Sequence, residues 1–172
     1  MWWKSLGLSL VVFAFYAERL EKSSVFHKMD TTKLEIDTAN IFKSWCTFLE
    51  TRKIQFSEVV TTQFVHETGF FTSSVYQNCN NPSGMKMNKR GIAKKVCEGH
   101  AYYNTVLDAI EDYRLYQSRM LYLARQQGRP CETNEDYFAL LEDLPHLRGH
   151  RYAQDPKYID KLKARMAYMK NL

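Results

Sequence analysis

The chain has 172 residues, with 24 Lys and Arg against 19 Asp and Glu, a formal charge of +5. Its 45% hydrophobic and 25% charged residues are the proportions of one folded domain and exclude disorder over the whole length; 7 Gly and 4 Pro exclude a collagen-like or low-complexity chain. No run of about 20 apolar residues follows the N-terminus, which excludes a polytopic membrane protein, and the modest basic excess suits a polyanionic partner without choosing among nucleic acid, lipid and cell-wall polymer.

Residues 1–28 read as a hydrophobic leader and linker, and 29–172 as the folded domain. Met1–Ala17, MWWKSLGLSLVVFAFYA, carries Lys4 as its one charged side chain. Leu6–Ala17 has the length of a signal-peptide core and is short for a membrane span. It predicts export, with the leader cleaved or kept as a membrane anchor; the alternative is a buried first helix of the domain.

From Asp37, a plausible cap, Ile41, Trp45, Phe48 and Leu49 recur at helical spacing. Ser57 can cap a second helix with Val60, Phe64 and Val65 on its apolar side, running into Glu67 and stopping at Gly69. Residues 76–100 hold three Gly and one Pro and read as loops with a short hairpin. Helical period resumes at Asn104 or Thr105, with Val106, Ala109, Ile110, Tyr113, Tyr116, Met120 and Leu123 as one stripe that ends at Gly128-Arg129-Pro130. Thr133 and Asp136 have capping-box spacing before a short helix through Leu141. Asp155-Pro156 reads as a cap and first helical position, with Ile159, Leu162, Met166 and Met169 as the buried side of the last helix.

Cys46, Cys79, Cys97 and Cys131 allow three pairings. Cys79 and Cys97 flank one polar loop and can close it, a bridge worth about 3 kcal/mol in the chain-entropy model. Cys46, beside Trp45 on an apolar face, reads as a core thiol, and the spacings fit no zinc pattern, so neither metal nor cofactor is expected.

Chemistry concentrates at Thr62-Gln63-Phe64-Val65-His66-Glu67-Thr68-Gly69-Phe70-Phe71-Thr72-Ser73. A carboxylate closes an apolar helix, is followed by Gly and two aromatics, and opens onto a Tyr- and Asn-rich loop. An acid for glycosidic cleavage needs such a place, because apolar walls keep the carboxyl protonated near neutral pH.

This segment resembles the E-[ST]-G-x-x-x-S signature of the bacterial glucosaminidases, peptidoglycan hydrolases of glycoside hydrolase family 73. Three further blocks agree in order. Asn80-Asn81-Pro82-Ser83-Gly84-Met85-Lys86 is similar to the family's N-N-L-F-G-[IM]-K, with Pro82-Ser83 departing from its apolar pair. Gly99 to Tyr103 with Asp108 to Tyr113 is similar to its F/A-x-Y…S-[IV]-x-D-Y run, and Gly149 to Tyr158 to its G-x-Y-A-x-D-P-x-Y. Together they cover about residues 37–170.

The resemblance implies an all-α fold with a small β-hairpin lobe, lysozyme-like, enclosing a groove for peptidoglycan glycan strands, in the periplasm, the envelope or outside the cell. It implies β-1,4 cleavage of the GlcNAc–MurNAc backbone with Glu67 as general acid and Tyr152 near the reacting sugar. Glu98, the one acidic residue between Glu67 and Asp108, is the candidate second catalytic group, by rough position and not by motif. Tyr76 and Asn81 are candidates for lining the groove.

Other assignments are plainer. His66 reads as structural, and Tyr102, Tyr103, Tyr113 and Tyr116 chiefly as core. Lys86, Lys89, Arg90, Lys94 and Lys95 read as a solvated hairpin face, attracted at most to an anionic mesh that salt would screen. The alternative function is a catalytically inactive peptidoglycan-binding or envelope-assembly protein on the same fold. Nucleic acid is not expected as a partner, since no helix-turn-helix, RNP-like run or zinc spacing is present.

Overall fold

The computed structural model describes residues 31–145 and 152–171, with side chains from residue 40 onward. The leader and the Gly149-His150-Arg151 part of the last block lie outside the described residues. Among the described residues no helix is long and apolar enough to cross a membrane.

The architecture is all-α with a two-stranded lobe, as expected. Helix α1 spans Thr31–Thr51, α2 Ser57–Thr68 and the short α3 Ser74–Cys79. Strands β1, Lys95–Cys97, and β2, His100–Tyr102, follow, then α4, Val106–Gln126, α5, Asn134–Glu142, and α6, Tyr158–Lys170. The strands pair antiparallel with Cys97 opposite His100. Glu98 and Gly99 form the two-residue turn with φ of 51° and 73°, the positive pair that matches the twist of a tight hairpin.

Helix α2 is the centre of the fold, packed by α1 on one side and by α5 and α6 on others. Val59, Val60, Phe64 and Val65 are buried, and so are Thr61, Thr62, Gln63 and Thr68. Such a helix is encased all round, and its polar side chains must find partners inside. Thr62 and Thr68 hydroxyls donate to the carbonyls of Glu58 and Phe64 one turn back, at 2.7 and 2.6 Å. Leu49, Ile110, Met120, Phe138 and Leu162 complete the main core around it.

Element ends differ from the sequence reading in three places. The first helix begins at Thr31, so Asp37 lies inside it and not at its start. Ser57 is the first residue of α2 and not its cap: Phe56 precedes it in the left-handed region, and the Ser57 hydroxyl donates to Glu50 instead. A turn through Asp155 precedes α6, which starts at Tyr158, two residues beyond Pro156. Asp155 still accepts from the Lys157 amide at 2.9 Å, a local Asx-type bond in place of a helix cap. Residues 76–79, expected as loop, belong to helix α3, whose cap is Ser73, its side chain accepting from the Tyr76 amide. The expected Thr133–Asp136 capping box is present, and Thr105 with Asp108 forms a second one at the start of α4.

Cys79 and Cys97 are bonded, tying the end of α3 to β1. Cys46 is a buried thiol donating to Thr61. Arg90 corrects the picture of a uniformly solvated basic hairpin face. It makes two bonds to the fully buried Asp112 of α4, at 2.6 and 2.9 Å, while Tyr103 and Asn88 donate to the same carboxylate at 2.7 and 2.8 Å. These donors together hold Asp112 below the ordinary aspartate range despite the burial that raises it. This cluster clamps the polar loop to the helical body.

Candidate active site

Glu67 stands on the last turn of α2, which Gly69 ends in the left-handed conformation with φ 54°. Phe70 and Phe71 follow with φ of 60° and 62°, conformations that cost a side-chain-bearing residue about 1–3 kcal/mol each. Phe71 is held there by stacking on Trp45, with centroids 4.9 Å apart, and by its amide donating to Thr68 at 2.8 Å. The backbone beside Glu67 is thus strained and over-determined.

The Glu67 carboxylate has a hydrogen-bond donor at one oxygen and a glycine close to the other. The Tyr158 hydroxyl donates to Oε1 at 2.8 Å. Oε2 faces Gly84, where a Cβ would come within 2.9 Å of it. Burial raises this carboxyl above its ordinary value, and the Tyr158 bond, which favours the ionised form, only partly offsets that. The group therefore holds its proton to a higher pH than a free glutamic acid.

Gly84 belongs to a loop built around Asn81. The Asn81 amide donates to the carbonyls of Met85 and Ala101 at 2.9 Å each, and its Oδ1 accepts from the Ser83 hydroxyl and the Met85 amide. Asn81 is fully buried and all its bonds go to protein. As it stands it frames the loop and presents no free polar atom to a sugar.

Tyr152 is partly buried, its ring 5.9 Å from that of Tyr158, and its hydroxyl donates to the Ser83 carbonyl at 2.7 Å. It thereby joins the segment before α6 to the loop that faces Glu67. Tyr76 is also partly buried, packed edge-on against Phe71, and burial pushes its phenol up to about 12.

Glu98 occupies the exposed hairpin turn. Its two oxygens accept from the Ser74 hydroxyl at 2.5 Å and the Asn78 amide at 2.8 Å, and these bonds hold it below the ordinary carboxylate range. The two candidate carboxyls are thus pushed in opposite directions, Glu67 toward the acid and Glu98 toward the ionised form. Glu98 also lies near Cys79 and Cys97, but sulfurs joined in a disulfide offer no thiolate to a metal.

His66 packs edge-on to Tyr158 with its Nδ1 enclosed and unpaired among the described residues. Burial, then Arg165 and Lys161, lower its pKa and keep the ring neutral. Three site residues escaped the sequence reading: Tyr158, Gly84 and Gln63, whose amide reaches the Tyr158 hydroxyl at 3.3 Å. Gln63 sits one turn before Glu67, and that spacing of four is the signal that puts both on one face.

Among solved structures, the fold is similar to the catalytic domain of the autolysin Auto from Listeria monocytogenes. The match has a TM-score of 0.52 and 17% sequence identity, and covers 89% of this chain and 93% of that one. No curated protein sequence matches. The family described as mannosyl-glycoprotein endo-beta-N-acetylglucosaminidase matches over residues 47–171, a span that takes in Glu67, the Asn81–Gly84 loop, the hairpin and α6. The chain belongs to the glucosaminidase family.

Proposed function

We propose that the protein is a peptidoglycan hydrolase that cleaves β-1,4 bonds of the GlcNAc–MurNAc backbone outside the cytoplasm, with Glu67 as general acid. The observation that carries this reading is the Glu67 carboxyl itself, held above its ordinary pKa at a strained helix end. Family membership and an autolysin-like fold support the class of substrate.

In the reaction Glu67 gives its proton to the glycosidic oxygen as the C–O bond breaks and its electron pair passes to that oxygen. Positive charge builds on the sugar ring. Water then adds its oxygen to the anomeric carbon and keeps one proton while the other passes to a base; exchange with solvent afterwards returns a proton to Glu67 and clears the base. Glu98, ionised in the hairpin turn, is the candidate to take that proton. If it does not, the sugar's own N-acetyl group makes the first attack, with Tyr152 steadying the acetamide. Tyr76 flanks the groove on the α3 side.

Glu67→Gln keeps the shape and cannot deliver a proton. It should lose nearly all turnover in a cleared-zone assay on peptidoglycan gels, and mass spectrometry of the products made by the wild-type chain should show reducing GlcNAc ends. Retained turnover in the folded variant would defeat the reading. Reducing MurNAc ends would move the cut to the neighbouring bond. A folded wild-type protein that binds the polymer without ever shortening it would favour the inactive, binding alternative.

A further inference from the structure

Behind Glu67 runs a chain of buried polar groups whose donors can all be assigned. The Tyr113 hydroxyl lies 2.5 Å from Gln63 Oε1, and Gln63 Nε2 lies 3.3 Å from the Tyr158 oxygen. The reverse orientation of the amide would put a nitrogen 2.5 Å from the Tyr113 oxygen, shorter than N–H···O bonds run, whereas O–H···O bonds reach that length. Tyr113 therefore donates to Gln63, and Gln63 donates to Tyr158. With its hydrogen so used, Tyr113 accepts from Tyr137, 3.2 Å away. Tyr158, accepting from an amide that can only donate, has one hydrogen left, and it points to Glu67 Oε1 at 2.8 Å. Gln63, Tyr113 and Tyr137 are completely buried and Tyr158 nearly so, so no solvent competes along the line.

We propose that Gln63 is a positioning residue: locked by Tyr113, its amide makes Tyr158 a fixed donor to Oε1 of Glu67, so that the acid carries its proton on Oε2, the oxygen beside Gly84. This rests on the reading of Glu67 as the general acid. A carboxyl free to place its proton on either oxygen spends part of its time in the wrong form. Here Oε1 is occupied by a donor, and Oε2 lies so close to Gly84, φ 63°, that a Cβ there would come within 2.9 Å of it. When the proton leaves Oε2, the bond from Tyr158 to Oε1 strengthens against the new negative charge and so favours the transfer. Tyr113 matters because without it the amide can turn, offer its oxygen to Tyr158, and draw the phenol hydrogen away from Glu67.

The titratable groups around Glu67 are the phenols of Tyr158 and Tyr152, from α6 and the segment before it; the neighbouring His66 looks toward Arg165, Lys161 and Asp155. None but Tyr158 hydrogen-bonds the carboxylate among the described residues.

The test is the pH–rate profile of the full chain on solubilised glycan strands, for wild type, Gln63→Met, Tyr113→Phe and Tyr158→Phe, each checked by thermal unfolding. A general acid works while protonated, so activity falls as pH rises through its pKa. Weakening the donor to Oε1 removes stabilisation of the ionised form and moves that alkaline limb upward. Gln63→Met should lower kcat by about 10- to 10²-fold with KM little changed, and should shift the limb up. Tyr113→Phe should do both to a smaller extent and decides the matter if Gln63→Met does not fold. A folded variant of either residue with the wild-type limb, whatever its kcat, would overturn the proposal and leave the relay as packing. Retained activity in Glu67→Gln would instead strike the parent reading, so the two failures are distinct.

Discussion

Replacing Arg90 with Met should destabilise the protein by an amount set by what it leaves behind. Asp112 has no exposed side-chain surface, and Arg90 supplies two of its four hydrogen bonds, including the bond to Oδ1. Methionine fills much of the arginine stem's volume, so the loss is chiefly electrostatic: a carboxylate buried with Tyr103 and Asn88 still donating to Oδ2. Removing one partner of a buried pair costs about 3–5 kcal/mol. Arg90 is 22% exposed and two donors remain, which places this case near the lower end, about 3 kcal/mol. At about 2–4 °C per kcal/mol for a domain of this size, Tm should fall by about 6–12 °C at pH 7. The sign with pH is definite. In the wild type the folded-state pKa of Asp112 is depressed, so its contribution is present above the unfolded value of about 3.9 and is lost as pH falls through the lower folded value. In the variant burial dominates and the folded pKa rises above about 3.9, so stability falls as pH climbs from there toward neutrality. The gap between the two proteins should therefore widen from pH 4 to pH 7 in calorimetry. A deficit that is constant over that range, or below about 3 °C at pH 7, would refute the reasoning.

Glu98→Gln should reduce turnover by about 10²–10⁴-fold if the residue takes the proton from water, and hardly at all if the N-acetyl group makes the first attack; single-turnover kinetics on peptidoglycan separate the two. Changing Cys79 and Cys97 together to Ser should lower stability by about 3 kcal/mol in urea unfolding, on the chain-entropy model. It should also loosen the Glu98 turn, read as faster amide exchange at residues 95–102 with the α4 core unchanged. Gly84→Ala should depress activity while leaving Tm within a few degrees, because its Cβ would meet Glu67 Oε2 at 2.9 Å and must displace the carboxyl; unchanged activity would show that the carboxylate has room to move aside.

The helices are legible where the chain carries its own start and stop signals: the Thr133–Asp136 capping box and the Gly69 stop are local chemistry, and local chemistry is what a sequence displays. Ser57 misled because a hydroxyl near a helix start has more than one acceptor in reach, and here Glu50, across the turn from α1, takes its hydrogen. Glu67 stood out from its setting, an acid closing an apolar helix before a glycine. Its partner did not, since Tyr158 lies 91 positions away and tertiary packing alone brings the two together. For Asn81 the sequence is silent on framing, since a single amide that closes four bonds inside a loop looks the same in sequence as one that binds sugar. Asp112 did carry a usable signal. An acid set among Ala109, Tyr113 and Tyr116 on a buried stripe requires a cation from elsewhere in the fold, and Arg90 meets that requirement.

The distance in sequence between Glu67 and Tyr158 also orders events in time. Synthesis runs from the N-terminus, so α2 leaves the ribosome long before α6 exists. Until then Glu67 lacks its donor, Gln63 lacks an acceptor for its amide, and the Ser83 carbonyl lacks Tyr152. Helix α2 itself buries Thr61, Thr62, Gln63 and Thr68 beside its apolar side chains, and α5 and α6, which help to enclose it, come later in the chain. A nascent or truncated chain that stops short of residue 158 therefore carries every residue of the signature and none of the finished acid.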